Sequence, residues 1–267
     1  MTASPIVPVP ADRLYGGEHW QTARTLGEKA AASGYRASTW VCSAGYGLVP
    51  LTAALRPYAA TFAFGHPDSA GHTPKAVQEW WTRHTAWPGP DADLPRSFTA
   101  LAGHTPRAAL LVVLSATYLR ACAHDLLAAA AELHRPDQLA IISVGGGATR
   151  ELREYLLPAD AHLQTVVGGS LGALNVHLAA RLLQAPAADL FSRHALAEQI
   201  KTLARSGSRR HVPNRTPLTD AEVRAFIIER LSKGSTHSSM LRQLRDAGLA
   251  CEQQRFARLF AATVGGT

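Results

Sequence analysis

Four short, almost wholly apolar runs, Ser38–Cys42, Leu110–Leu114, Leu139–Ser143 and Leu163–Val167, are spread along the chain with helical patterns between them. Runs that are continuously apolar, rather than alternating, belong to strands buried on both faces. Strand–helix–strand alternation then predicts an α/β protein with a four-stranded parallel sheet in a three-layer α/β/α sandwich. Helices are expected over His19–Ser33, over Pro74–Thr85, which opens with proline and carries Trp80 and Trp81, and over the Ala/Leu-rich stretch Ala116–Leu133. The 267 residues suffice for one large core and a small second domain.

Several classes are excluded. No run reaches the roughly 18 apolar residues of a membrane span; the longest, Ala108–Leu119, is interrupted by Ser115 and Thr117. The opening MTASPIVPVP lacks a basic stretch followed by an apolar one and does not read as a signal peptide. Cys42, Cys122 and Cys251 are widely spaced, odd in number and without a Cys-x-x-Cys pair, which predicts neither a zinc site nor a disulfide framework. A cytoplasmic protein without metal or cofactor is expected.

Charge divides the chain. Residues 1–200 hold 15 Arg/Lys and 15 Asp/Glu, whereas residues 201–267 hold 12 Arg/Lys and 5 Asp/Glu and carry the whole net charge of +7. The stretch 206–218, SGSRRHVPNRTP with the following Leu, reads as a linker between a body (1–205) and a basic helical domain (219–267). In that domain Thr219 and Glu222 form a capping box. Val223, Phe226, Ile227 and Leu231 make one apolar helical face; Ser235 is placed to cap a second helix and Phe256 to anchor a third. Three short helices bearing Arg242, Arg245, Arg255 and Arg258, with Arg209, Arg210 and Arg215 before them, form an all-α, helix-turn-helix-like module with an electrostatic footprint for DNA.

Chemistry concentrates between Trp40 and Ser69. An apolar run stops at Ser43. A turn containing Gly45, Tyr46 and Gly47 follows, then Tyr58 and Phe64, then a lone acid, Asp68. In open α/β sheets ligands bind beyond the carboxyl ends of strands. Hydroxyls, rings and one carboxylate there suit a planar, partly polar ligand such as a nucleobase. Ser115 and Ser143 close two further runs. Glycine-rich turns at Gly145, Gly146 and Gly147, and at Gly168, Gly169 and Ser170, resemble anion-holding helix starts. They match neither a P-loop nor a dinucleotide fingerprint, and glycines at such places also serve tight turning alone.

Leu14-Tyr15-x-Gly17…Trp20, Ser43-Ala44-Gly45-Tyr46-Gly47-Leu48-Val49 and Pro57-Tyr58-x-x-Thr61-Phe62 together resemble a group of bacterial and phage proteins related to the YaaA peroxide-stress family. The SAGYGLVP turn is similar to the Ser-x-x-Gly-Leu-Val-Pro turn in a domain of archaeosine synthase. The resemblance covers residues 11–185. It implies a uracil-DNA-glycosylase-like fold and, through phage-defence DNA glycosylases, action on modified bases. The Gly-Gln-Asp-Pro-Tyr and His-Pro-Ser-Pro loops of the uracil enzymes are absent, and His66-Pro67-Asp68-Ser69 is neither of them.

The expectation that follows is cleavage of an N-glycosidic bond in DNA, in anti-phage defence. Asp68 and Ser43 are its catalytic candidates: the carboxylate opposes the positive charge built on the sugar, and Ser43 or the glycine-turn amides hold the departing base. Two alternatives stand beside it: a non-catalytic module that reads a modified base, and a hydrolase or transferase for free nucleosides or nucleotides.

Overall fold

A computed structural model describes residues 7–146, 148–186, 192–207, 215–232 and 235–265. The chain divides into two compact units, Met1–Arg209 and Arg210–Thr267. The larger runs β1 (Val9–Pro10), α1 (Ala11–Leu14), α2 (Gly17–Ala23), α3 (Leu26–Ala32), β2 (Trp40–Ser43), β3 (Gly47–Pro50), β4 (Ala54–Leu55), α4 (Pro74–Ala86), α5 (Phe98–His104), β5 (Leu110–Val113), α6 (Ala116–Ala121), α7 (Ala123–Glu132), β6 (Leu139–Ile142), α8 (Gln164–Val167), α9 (Leu174–Leu182) and α10 (Arg193–Ser206).

The expected four-stranded parallel sheet is absent: among the described residues every sheet has two strands. Two of the four apolar runs do pair in parallel, β5 with β6, from Leu110↔Leu139 to Val113↔Ile142. The first run instead folds back on β3 as an antiparallel hairpin, Trp40↔Pro50 to Ser43↔Gly47. Its cause is local. Ala44, Gly45 and Tyr46 make a three-residue loop, and Gly47 follows at φ +71°, the left-handed position that such loops require. The fourth run is helical. The Asp160 side chain accepts the His162 N–H at 2.8 Å, starting a 3-10 turn over Ala161–Leu163 that continues as α8. A five-residue apolar run does not by itself distinguish strand from buried helix.

The helices are shorter than their patterns. His19–Ser33 breaks at Arg24 and Thr25, and Ala116–Leu133 breaks at Cys122, which ends α6 and precedes α7. Pro74–Thr85 forms as one helix, α4, capped by Thr73.

The parallel pair nevertheless lies between two apolar layers. Leu139 and Ile141 of β6 join a cluster with Phe62, Trp81, Phe98, Leu119 and Leu126. Ala140 and Ile142 join another with Leu174, Leu178, Leu182, Leu196 and Ile200. All four β6 side chains are fully buried, as the period-two pleat demands of a strand covered on both sides.

One carboxylate ties the first layer together. Asp125 of α7 accepts the Trp81 indole N–H of α4 at 2.9 Å and the Phe98 amide at 2.9 Å. It also accepts the Thr99 amide at 3.0 Å and the Thr99 hydroxyl at 2.7 Å. The first-turn amides of α5, which lack intrahelical partners, thus find an anion from a neighbouring helix.

The smaller unit contains β7 (Thr216–Pro217), α11 (Asp220–Arg230), α12 (His237–Asp246), β8 (Leu249–Ala250) and α13 (Gln253–Val264). Thr219 and Glu222 cap α11 reciprocally. Thr236, one residue beyond the expected Ser235, caps α12 through Ser239. Val223, Phe226, Ile227, Met240, Leu241, Leu244, Phe256 and Leu259 form its core, while Leu231 ends the first helix and is 38% exposed. The unit is not all-α: β7 and β8 pair in parallel, Thr216↔Leu249 and Pro217↔Ala250. No helix among the described residues is long and apolar enough to cross a membrane.

Replacing Asp125 with Ala strands several half-buried donors, so Asp125→Ala is expected to lower unfolding free energy by about 3 kcal/mol. Urea denaturation checks this; Asp125→Asn, which keeps one acceptor oxygen, should lose less.

Candidate functional site

The hairpin turn supports Tyr58, which forms part of the wall of a tyrosine-rich cavity. Ser43 is buried. Its hydroxyl accepts the Gly45 and Tyr46 amides at 3.3 and 3.1 Å and lies 2.7 Å from the Tyr58 hydroxyl. The Tyr58 hydroxyl in turn lies 3.1 Å from that of Tyr15. A side chain at Gly45 would place its Cβ 2.4 Å from the Tyr58 ring, so only glycine admits that ring. Tyr46 braces the same segment: its hydroxyl donates to the Arg56 carbonyl and accepts the Arg56 amide, both at 3.1 Å, and its ring meets Tyr58 edge-on at 5.2 Å.

The turn is clamped from outside. Trp80 of α4 donates its indole N–H to the Ala44 carbonyl at 2.7 Å. Buried Arg96 donates to the carbonyls of Leu48, at 3.1 Å, and Tyr46. Burial lowers the Arg96 pKa from its ordinary value.

The cavity has a volume of about 320 Å³ and is lined by Leu14, Tyr15, Pro57, Tyr58, Ala60, Thr61 and Tyr118. No charged side chain lines it. Four hydroxyls do, from Tyr15, Tyr58, Tyr118 and Thr61. Burial, reinforced by neighbouring Tyr58, pushes the Tyr15 phenol well above the ordinary tyrosine range. Burial does the same to Tyr118, with Cys42 adding to the shift. Ser115 caps α6 by accepting the Tyr118 amide at 3.4 Å and so helps to aim Tyr118.

Asp68 belongs to an adjoining loop. Its carbonyl accepts the Thr61 amide at 2.9 Å, and Thr61 and Ser69 form a parallel bridge. Its carboxylate is 45% exposed and lies 3.6 Å from His66 Nδ1. Phe64 is 42% exposed, with the Arg120 guanidinium 5.8 Å from its ring centre. The structure thus brings Ser43, Gly45, Tyr46 and Tyr58 together, with Asp68 on a neighbouring loop; Gly47 serves the hairpin.

The other expected residues lie elsewhere. Ser143 is buried and its hydroxyl has no hydrogen-bond partner among the described residues. Gly145 and Gly146 form an exposed turn at φ +92° and +88°; Gly147 lies outside the described residues. The Gly168–Ser170 turn already holds an anion, the chain's own Glu18, whose carboxylate accepts the Ser170 amide at 2.8 Å. Hydrogen bonding from Ser170 holds the Glu18 carboxyl below its ordinary pKa.

In the smaller unit, Arg255 pairs with Asp220 at 2.5 Å and bonds the Leu218 carbonyl at 3.0 Å. Arg215 donates to the Arg245 carbonyl at 3.0 Å. Arg242 and Arg258 are exposed, Arg245 partly so, and none of the three makes a salt bridge among the described residues. Arg209 and Arg210 lie outside the described residues. No group of three or more His, Cys, Asp or Glu among the described residues is placed to hold a metal ion.

Tyr15, Tyr118 and Thr61 were not singled out as site residues by sequence reasoning. The available signal was the tyrosines themselves: of six in the chain, four (Tyr15, Tyr46, Tyr58 and Tyr118) line or brace the cavity. Compared with protein-family models, with curated proteins and with solved structures, the chain finds no match.

The raised phenols fix a sign. A group whose folded pKa lies above its unfolded value contributes stability below the unfolded value, 10.0 for tyrosine, and loses it as pH rises beyond. Tyrosinate absorbance followed with circular dichroism in alkaline titration should show Tyr15 and Tyr118 ionising only as the fold is lost. Tyr118→Phe should move that transition to higher pH.

Proposed function

We propose that this chain binds nucleic acid and receives one unstacked base in the tyrosine cavity. The supporting observation is the lining: three tyrosines and four hydroxyls around about 320 Å³, with no charge. That volume is at the lower end for small-molecule sites. Aromatic faces accept any base at roughly 1–3 kcal/mol per stacked base. Hydroxyls both donate and accept, which suits the mixed polar edge of a base. Removing a base from a duplex costs a few kcal/mol, and the basic smaller unit supplies phosphate attraction to offset that cost. Arg242 and Arg258 are exposed cations of that unit without a salt bridge among the described residues; Arg255 and Arg215 are engaged within the unit.

A second reading, hydrolysis of the N-glycosidic bond of a modified base, is favoured by one observation. Asp68 is carried on the loop hydrogen-bonded to Thr61 of the cavity wall. In that reaction the carboxylate opposes positive charge on the sugar ring, the C–N bond breaks and the base takes a proton from solvent as it leaves, and water adds to the anomeric carbon and gives its own proton to solvent. This reading needs the carboxylate to leave His66.

Two measurements separate the readings. With oligonucleotides carrying 2-aminopurine, wild-type protein should enhance the probe's fluorescence by unstacking. Tyr58→Ala should lose the enhancement, while Arg242→Gln/Arg258→Gln should weaken affinity and flatten its salt dependence. Alkaline cleavage of phage DNAs with different base modifications then reports abasic sites. Base release abolished by Asp68→Asn establishes hydrolysis; binding without release leaves a reader; no binding at low salt refutes the proposal.

A further inference from the structure

The larger unit has a second cleft with the opposite chemistry. It lies between the α2–α3 segment and α9, with a volume of about 390 Å³. Thr22 and Thr25 come from the α2–α3 junction, Lys29 from α3, His177 and Arg181 from α9, and Gln184 from just beyond it. No Asp or Glu lines it. Lys29 and Arg181 form no ion pair among the described residues, and the partner of the Arg181 guanidinium is the Gln184 side-chain oxygen at 3.2 Å. The segment 1–200 carries equal numbers of acidic and basic side chains, so a concavity lined by two cations and no acid departs from the composition around it.

His177 is fixed on the wall of this cleft by a dedicated arrangement. Its Nε2 lies 3.1 Å from a Glu18 carboxylate oxygen, and the Ser170 amide donates to the same oxygen at 2.8 Å. Gly168 and Gly169 precede Ser170 at φ +75° and +74°. A Cβ on Gly169 would lie 2.3 Å from His177 Nε2 and 2.8 Å from Glu18 Oε1, so the turn closes on this pair only as glycine. Successive left-handed residues cost conformational freedom and recur where geometry is held for function. Glu18 orients the ring and is not itself among the residues that line the cleft.

We infer that this cleft binds a phosphate-bearing small molecule. Arg181 offers a planar fork and Lys29 a point charge, both suited to phosphate oxygens. The Thr22 hydroxyl adds a neutral donor, whereas the Thr25 hydroxyl is engaged with the Thr22 carbonyl at 2.8 Å; the volume exceeds that of a single phosphate, leaving room for the group attached to it. The site is independent of the tyrosine cavity and of the reading proposed for it.

Calorimetric titration of the full-length protein with sodium pyrophosphate, with adenosine monophosphate and with citrate tests this. Wild-type protein should bind both phosphate probes. Lys29→Gln and Arg181→Gln should each weaken them about tenfold, and the double variant about a hundredfold. Both side chains lie on the surface of the cleft, and an unchanged circular dichroism melt confirms folding. Tighter binding of adenosine monophosphate than of pyrophosphate assigns an organic phosphate; the reverse assigns inorganic pyrophosphate. Binding lost on Arg242→Gln/Arg258→Gln and unaffected by the cleft variants overturns the inference. So does citrate binding as tightly as either phosphate probe, or no binding of any probe. Tyr58→Ala should leave these affinities unchanged, which separates this result from the fate of the tyrosine cavity.

Discussion

The guanidinium of Arg96 is a buried cation with no carboxylate partner among the described residues, and the tyrosine cavity depends on how its charge is met. Backbone dipoles meet it: the carbonyls of Tyr46 and Leu48 on the hairpin and of Trp87 after α4, the last at 3.4 Å. The Leu48 amide returns a bond to the Arg96 carbonyl at 3.2 Å, so residue 96 joins the hairpin almost as an added strand. Desolvating a charge is expensive unless every donor finds an acceptor, and that requirement leaves the hairpin little freedom. Ser43 is thereby held under Tyr58, and Ala44 under the Trp80 indole. A cation that takes no part in the cavity thus braces the turn that Tyr58 packs against.

The same economy of partners explains why the sheet is small. Among the described residues the hairpin strands β2 and β3 pair only with each other and not with β5. With the fourth apolar run drawn into α8, only β5 and β6 remain to pair in parallel. The helical layers are present nonetheless, because burial of β6 on both faces needs only covering side chains and no further strands. Leu139 and Ile141 see one layer, Ala140 and Ile142 the other. What was readable in the sequence was therefore the burial of each run, together with local signals such as Pro74 at a helix start and the Thr219–Glu222 box. Which runs neighbour one another was not readable, because pairing depends on Gly47 turning the chain back and Asp160 capping a turn. Glycine and aspartate at such positions are common to many kinds of turn.

The site was legible to the extent that it is local. Ser43, Gly45, Tyr46 and Tyr58 lie within sixteen residues of one another, and their clustering shows in the sequence. Tyr15 and Tyr118 arrive from distant helical segments, and no spacing rule connects them. Cys42 and Cys122 illustrate the same limit: eighty positions apart, their sulfur atoms lie 3.4 Å from each other. The glycine turn at 168–170 was recognisable as a place for an anion, but whether that anion is a ligand or the chain's own carboxylate is set by where Glu18 falls in space. The tail arginines divide on the same ground. Arg242 and Arg255 look equivalent in sequence, yet Asp220 engages one of them.

Two concavities of similar size in the larger unit thus differ in what they can recognise. The tyrosine cavity has hydroxyls and rings without charge; the α3–α9 cleft has cations without acid. Screening separates them physically. Added salt weakens attraction to Lys29 and Arg181, as it weakens phosphate attraction to the basic smaller unit, because these charges face solvent. Stacking on tyrosine faces and hydrogen bonds to buried hydroxyls are far less sensitive to ionic strength. A ligand held mainly by the cavity therefore keeps its affinity as salt rises, whereas a nucleic acid drawn mainly by the basic unit does not. The slope of affinity against salt consequently reports which part of the chain carries the binding energy.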